Sequence, residues 1–270
     1  MTETRVNPAF DNPPVVETVL GVQFEPLQGL TSVHVGWFWK EYLDSNWSKF
    51  AETLALPDEF ERFEPTPPGP PQMRIGPMKF PGRSQISNPD DGRMIQIQPS
   101  RFHYNWNHVR GEYPRYQTVL EEFERHFANF CRFVKQADFG EVIPNQWELS
   151  YIDSIPKGTL WANPSEWHEV LPGLFSPLSH VRSVQLEAFG GAWQFEIPPQ
   201  RGRLHASVNL AVLGSDPTPV LLYQTTARGS ISKEGGGSLQ DGLALGHQAA
   251  VDLFLAVTSE KAQKAWGRKS

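Results

Sequence analysis

The chain has 270 residues, of which 39% are hydrophobic and 20% are charged, so its composition is that of a globular protein and excludes wholesale disorder. Its net charge is -6, and no stretch carries a run of Lys and Arg, which disfavours nucleic acid as the main partner. Cys131 is the only cysteine, so no internal disulfide and no cysteine-based metal site can form.

The chain also lacks the apolar segments that membranes and secretion require. Its first residues contain no apolar stretch of the kind found in secretory signals. No window approaches the roughly eighteen uninterrupted apolar residues of a spanning helix. The sequence therefore predicts a cytoplasmic protein that does not enter a membrane.

The first part of the chain predicts strands followed by one long helix. After a lead-in (residues 1–12), alternating apolar residues predict a strand at Val15–Phe24. Helical spacing predicts a helix over residues 31–46, with Thr31 or Ser32 as its cap. A proline-rich loop (residues 65–71) comes next. Strands are then predicted at residues 74–78, 84–87 and 93–106 (a strand pair), and a long helix at residues 116–134.

The same order of elements then begins again. Trp147, Leu149, Tyr151, Asp153 and Ile155 alternate along a predicted strand. After it, the sequence predicts a short helix at residues 164–171, strands at residues 184–189, 193–197, 204–210 and 220–227, a glycine loop at residues 235–237, and a final helix over residues 238–266 that begins with a capping box at Ser238 and Asp241.

This repeated order predicts an α+β fold made of two tandem strand–helix–antiparallel sheet–helix halves. Each half would be helix-grip-like, with a curved sheet around one long helix, and the two would form one compact unit. The expected boundaries are residues 13–137 and 142–268. The prediction depends on element order, since residue identity between the halves is weak.

Both ends of the chain carry motifs that resemble a known family. The motif N-P-P-V-V-E at residues 12–17 and the helix end W-G-R at residues 266–268 resemble a sporadically distributed, uncharacterised family of bacterial proteins of about this length. The resemblance extends over the whole chain. It implies an accessory or defence-type role, and it implies no catalytic residues because that family has no established activity.

His247 is the first candidate for a binding site. It falls among Leu243, Val251 and Phe254 on the face of the final helix that should meet the sheet. It is either a satisfied histidine at the edge of the core or a polar group directed into a cavity between helix and sheet, where helix-grip folds hold ligands. The candidate ligand-binding residues are His247, Tyr104, Trp106 and Tyr151.

Two predicted strands share a polar stripe. Residues 101–107 and 203–209 match at Arg, His and the last Asn, and a period of two places these side chains on one sheet face. The stripe would bind an anion or a partner on the face away from the helices, or it is a coincidence on a solvated face. Its members are Arg101, His103, Asn105, Arg203, His205 and Asn209.

No motif of metal, phosphate-loop or serine-hydrolase chemistry is present. The eight histidines show no metal-ligand spacing, and the glycine loop lacks the Gly-Lys-Ser/Thr ending of a phosphate loop. No G-x-S-x-G elbow occurs. The sequence therefore predicts no metal, no cofactor and no identifiable catalytic residue.

These observations favour a non-enzymatic binding or protein-interaction protein, with a protein partner or a second copy of itself. The alternative is a small-ligand sensor or enzyme with its site between the long helix and the sheet near His247. Nucleic-acid binding across the sheet is the weakest hypothesis. A cavity lined by His247 and aromatic residues would favour the small ligand, whereas a filled core with exposed Trp or Phe would favour a protein partner.

Overall fold

The computed structural model describes residues 8–61, 63, 82–109, 112–177, 183–184, 186–214, 216–231 and 237–269. Within these ranges the chain forms an α+β structure. Its strands are β1 (Val15–Phe24), β2 (Lys49–Leu54), β3 (Gly82–Asn88), β4 (Arg93–Gln98), β5 (Arg101–Asn107), β6 (Pro144–Pro156), β7 (Gly191–Ile197), β8 (Gly202–Val212) and β9 (Pro219–Ser230). Its helices are α1 (Ser32–Tyr42), α2 (Tyr116–Gln136), α3 (Trp167–Val170, after a 3-10 turn at Pro164–Glu166), α4 (Leu239–Val257) and α5 (Glu260–Ala265).

The strands form one antiparallel sheet in the order β2-β3-β4-β5-β1-β6-β9-β8-β7. Strands β1 and β6 pair at its centre, where Leu20 lies opposite Leu149. The predicted α+β class with a large antiparallel sheet is therefore confirmed. The division into two similar helix-grip-like halves stays a prediction.

Helices α1, α2 and α4 pack on one face of the sheet. Aromatic side chains fill the space beneath α2, where the ring of Phe102 on β5 lies 5.3 Å from that of Phe130 and 6.1 Å from that of Phe123. All three side chains are fully buried. Because side chains alternate along a strand, the opposite face receives the polar residues, and we call it the polar face.

Trp147 on β6 joins α4 to the sheet. Its buried indole lies in a glycine cradle formed by Gly202, Gly229, Gly242 and Gly246. A Cβ atom at Gly242 would lie 2.2 Å from Cδ1 of Trp147, and one at Gly246 would lie 2.7 Å from its Cζ3 atom. Helix α4 therefore packs directly on the indole because these two positions carry no side chain.

Most of the predicted elements are found in the structure. Strand β1 has the predicted bounds, Thr31 caps α1, and α2 follows the predicted apolar stripe. The capping box is also confirmed, since Asp241 N donates to Ser238 Oγ at 3.1 Å and Ser238 N donates to Asp241 Oδ2 at 3.1 Å. The predicted elements at residues 65–71, 74–78 and 235–236 lie outside the described residues.

The predicted final helix over residues 238–266 is wrong, because it is two helices. Helix α4 ends where the Thr258 hydroxyl donates to the Phe254 carbonyl oxygen at 2.6 Å. Ser259 then caps α5 by accepting a hydrogen bond from Ala262 N at 3.2 Å. The break places the Trp266 ring 5.5 Å from that of Phe254, so α5 folds back onto the core.

Other elements also differ from the prediction. The predicted strand at residues 184–189 is not a strand in its described part, and Phe189 instead packs its ring 4.6 Å from that of Trp167. Helix α1 ends at Tyr42 rather than at residue 46, because the Asp44 side chain accepts from Asn46 N in a turn. Strand β2 was not predicted, since it is an exposed edge strand without an apolar face.

Replacing Gly242 by alanine should destabilise the protein by about 2 kcal/mol, since the new methyl group would collide with the Trp147 indole. Replacing Gly36 on α1, where nothing lies within 4 Å of the added atom, should stabilise it by about 0.5 kcal/mol through helix propensity. Urea denaturation of the two variants measures both free energies of unfolding. If both substitutions changed the free energy of unfolding by the same amount and in the same direction, close packing of Gly242 on Trp147 would not be important for stability.

Candidate functional site

A cavity of about 340 Å³ lies between α4, the start of α2 and the central strands. Tyr151 and Asp153 of β6 contribute to its sheet side, and Phe254 of α4 contributes to its helix side. The lead-in closes it with Phe10, which is buried. We call it the tyrosine cavity because Tyr113 also lines it, together with Tyr116 and Tyr151.

His247 is held at this cavity by two tyrosines. A hydrogen bond of 2.8 Å joins its Nδ1 atom and the Tyr151 hydroxyl. Its ring stacks on that of Tyr116, with centroids 3.9 Å apart and planes within 4°. Burial lowers the pKa of His247 to about 4, so the imidazole is neutral at pH 7.

Asp153 is the buried acid of the cavity. It is 5% exposed, and burial raises its pKa to about 7. Burial is the only cause of this shift, since among the described residues no hydrogen bond or positive charge offsets it. The buried Tyr116 hydroxyl likewise has no hydrogen-bonding partner among the described residues. Buried polar groups without partners are costly and therefore uncommon in folded proteins.

Strained backbone lies at the same cavity. Arg115, the residue before α2, has φ +75°, a value that side chains other than glycine rarely adopt. Its NH1 atom donates to the Phe10 carbonyl oxygen at 2.8 Å and so ties the lead-in to the start of α2. A backbone bridge between Phe10 and Arg268 holds the lead-in from its other side. Such strain is common beside functional sites.

The structure brings two of the four candidate ligand-binding residues together. His247 and Tyr151 line the tyrosine cavity. Tyr104 and Trp106 instead line a separate cleft beside α2. There the Tyr104 hydroxyl donates to Glu122 at 2.9 Å, and Arg93 donates to both oxygens of the same carboxylate at 2.8 and 3.1 Å.

The stripe residues of β5, Arg101, His103 and Asn105, lie on the polar face, where each is buried or already has a partner. Arg101 donates to the Gln23 side chain at 2.6 Å, and Asn105 donates to Glu17 at 2.6 Å. Burial lowers the pKa of His103 to about 3, so its ring is neutral. Its Nε2 atom lies 3.8 Å from Glu148, which is too far for a hydrogen bond.

Two of the stripe residues of β8 contact Glu61, an acidic residue from the first part of the chain. Arg203 NH1 donates to Glu61 at 2.6 Å, and His205 Nε2 lies 2.7 Å from the other oxygen of that carboxylate. Asn209 is exposed at the far end of β8. Strands β9, β6 and β1 separate β8 from β5, so the two stripes are not neighbours.

No protein-family model, curated protein or solved structure matches the chain. Among the described residues, no group of three or more His, Cys, Asp or Glu side chains is arranged to hold a metal ion. Within the same ranges, no helix has both the length and the apolar character needed to cross a membrane. The case for a function therefore depends on the cavity and on the polar face.

Asp153 is not among the site residues predicted from the sequence, although its position in the strand pattern is unusual for an acid. The acid stands on the apolar side of the β6 alternation, on the same face as Trp147 and Leu149. An acid at such a position must be paired or neutralised. Tyr116 is part of the apolar stripe of α2, and nothing in the sequence distinguishes its hydroxyl from those of other tyrosines.

Replacing Asp153 by asparagine should change how stability depends on pH. The folded pKa of about 7 exceeds the usual value near 4, so between these pH values the folded state keeps a proton that the unfolded state loses. The stability contributed by this proton is fully present below pH ~4 and lost as the pH rises to ~7, by about 4 kcal/mol in all. Urea denaturation at pH 4, 6 and 8 should show this loss in the wild type and not in Asp153→Asn.

The matched control is Thr225→Val, which alters the same cavity without removing a titrating group. It should keep the wild-type dependence on pH. An Asp153→Asn variant with that same dependence would contradict the assignment of the buried acid.

Proposed function

We propose that the chain is a binding protein for a small organic molecule that carries a basic nitrogen, held in the tyrosine cavity. The observation that carries the proposal is the Asp153 carboxyl group, which lines a cavity of about 340 Å³ and whose raised pKa no hydrogen bond or positive charge of the described residues offsets. That volume lies in the range of ligand sites, about 300 to 1,000 Å³. A cationic ligand would supply the partner that the described residues do not offer to Asp153.

The charges at the cavity indicate the class of the ligand. Asp153 can become an anion if a cation enters, and the ion pair would lower its pKa again. His247 is neutral, and the guanidinium of Arg115, which also lines the cavity, donates from NH1 to the Phe10 carbonyl oxygen. The faces of aromatic rings also attract cations, and Tyr113, Tyr116 and Tyr151 line the cavity.

The binding role accords with the non-enzymatic, cytoplasmic protein that the sequence predicts and with the accessory or defence-type system that the family resemblance implies. Among binding proteins we favour a sensor. A ligand in the cavity would contact elements that are distant in sequence, namely the start of α2 and α4. The cavity lies where the proposed halves meet, with Tyr116 from residues 13–137 and His247 from residues 142–268. The central pairing of β1 with β6 supports this division.

Isothermal titration calorimetry with benzylamine tests the proposal, since this basic amine stays protonated from pH 6 to pH 8. Binding should be roughly tenfold tighter at pH 8 than at pH 6, because Asp153 must be ionised to pair with the cation. The Asp153→Asn variant should bind at least about tenfold more weakly at pH 8 and lose the pH dependence.

Asp44→Asn is the matched control, since Asp44 lines the separate cleft beside α2. It should bind as the wild type does. Benzyl alcohol and benzoate serve as the neutral and anionic probes and should bind more weakly than the cation. No binding of the cation, or equal binding to wild type and Asp153→Asn, would overturn the proposal.

A further inference from the structure

A segment without regular secondary structure crosses the polar face of the sheet. It follows β2, and we call its residues 56–61 the strap. The strap contacts side chains of β4, β5, β6, β8 and β9, and so spans most of the width of the sheet. These contacts fall into two kinds, one to the main chain of the strap and one to its acidic side chains.

Two glutamines bind the strap through its peptide groups. The side-chain amide of Gln98 donates to the Leu56 carbonyl oxygen at 2.9 Å and accepts from Leu56 N at 3.0 Å. Gln146 donates to the Glu59 carbonyl oxygen at 2.6 Å and accepts from Glu61 N at 3.3 Å. A primary amide thus pairs with the strap as a peptide group of a neighbouring strand would, and this recognition is independent of side-chain identity.

Three basic side chains bind the acidic residues of the strap. Glu61 accepts from Arg203 at 2.6 Å and from Arg228 at 3.2 Å, and lies 2.7 Å from His205 Nε2. Arg228 also pairs with Glu59. Burial by itself would raise the pKa of Glu61, but the His205 hydrogen bond and the charges of Arg228 and Arg203 outweigh it and keep the pKa below its usual value.

The strap is held to the sheet through side chains and not through backbone pairing. No backbone-to-backbone hydrogen bond joins residues 56–61 to another described part of the chain. Phe60 is 53% exposed, and the Glu59 side chain is half exposed. A cleft of about 360 Å³, lined by Arg101, Glu148 and Arg228 among others, lies beside the strap on the same face.

We infer that this surface is a binding site for an extended acidic peptide of a partner protein, and that the strap occupies it as an internal competitor. The partner segment would carry two carboxylates separated by one residue, as Glu59 and Glu61 are. Gln98 and Gln146 would pair with its main chain, and Arg203, His205 and Arg228 would pair with its acids. Loss of Glu61 would remove the carboxylate that Arg203 and Arg228 share, which is costly, so an anionic replacement is favoured.

The observations favour a peptide over a nucleic acid. The two glutamines each use one donor and one acceptor on the strap, a pattern that peptide groups offer and phosphates do not. The net charge of -6 also disfavours a long polyanion.

The test uses the full chain and a fluorescent peptide with the sequence of residues 55–61, acetylated and amidated at its ends. In the wild type the tethered strap competes at a high effective concentration. The Glu59→Gln/Glu61→Gln variant should release it and bind the peptide at least about tenfold more tightly, as measured by fluorescence anisotropy. Adding Arg228→Gln to this variant should lose that gain.

The matched control is Glu41→Gln/Glu52→Gln, which removes the same charge from two exposed residues outside the strap. It should bind the peptide as weakly as the wild type does. A peptide with glutamine in place of both glutamates should bind the released variant at least about tenfold more weakly. Equal binding of the two peptides, or tighter binding of an oligothymidine of similar charge, would overturn the inference.

A second measurement decides the matter if the released variant fails to fold. Hydrogen exchange of the wild type with saturating peptide should be faster at the amides of Leu56 and Glu61 and unchanged in β5 and β6. Unchanged exchange at the strap would contradict displacement. Dimerisation of the released variant through exchanged straps would also contradict the inference, because a second copy would then be the occupant.

Discussion

The packing of Trp147 between β6 and α4 is the constraint on which both surfaces of the molecule depend. The indole occupies the volume that side chains at Gly242 and Gly246 would need, so α4 lies directly against the sheet. This close approach sets the position of His247, the residue after Gly246. Strand β6 contributes to both surfaces. Its Tyr151 and Asp153 line the tyrosine cavity, and its Gln146 lies on the opposite face and binds the strap.

The two faces of the sheet use their polar groups differently. On the helix side, the Asp153 carboxyl and the Tyr116 hydroxyl have no hydrogen-bonding partner in the part of the chain that the structure describes, and both residues line the tyrosine cavity. On the polar face, Glu61 satisfies Arg203 and Arg228 from more than 140 residues away in sequence. The first arrangement has room for a small molecule, whereas the second already holds an acidic segment. Separate ligands could therefore act on opposite sides of the same strand, β6.

Periodicity predicted the parts of the fold that bury one regular face. It placed β1, α2 and β6, and it placed His247 on the side of α4 that meets the sheet. It could not predict the strap, since residues 56–61 have no regular period and their partners lie far away in sequence. It also could not show that Arg203 and His205 meet one carboxylate, because long-range pairing is set by the topology of the sheet.

The bridge between Phe10 and Arg268 gives the tyrosine cavity an unusual dependence on the whole chain. One wall comes from the lead-in and another from α4, so their encounter closes a loop of almost the full described length. Long loops close late in folding because their entropic cost precedes the contacts that repay it. We therefore expect the cavity to be among the last features to form, and a ligand bound there would stabilise the completed fold over every partly folded state.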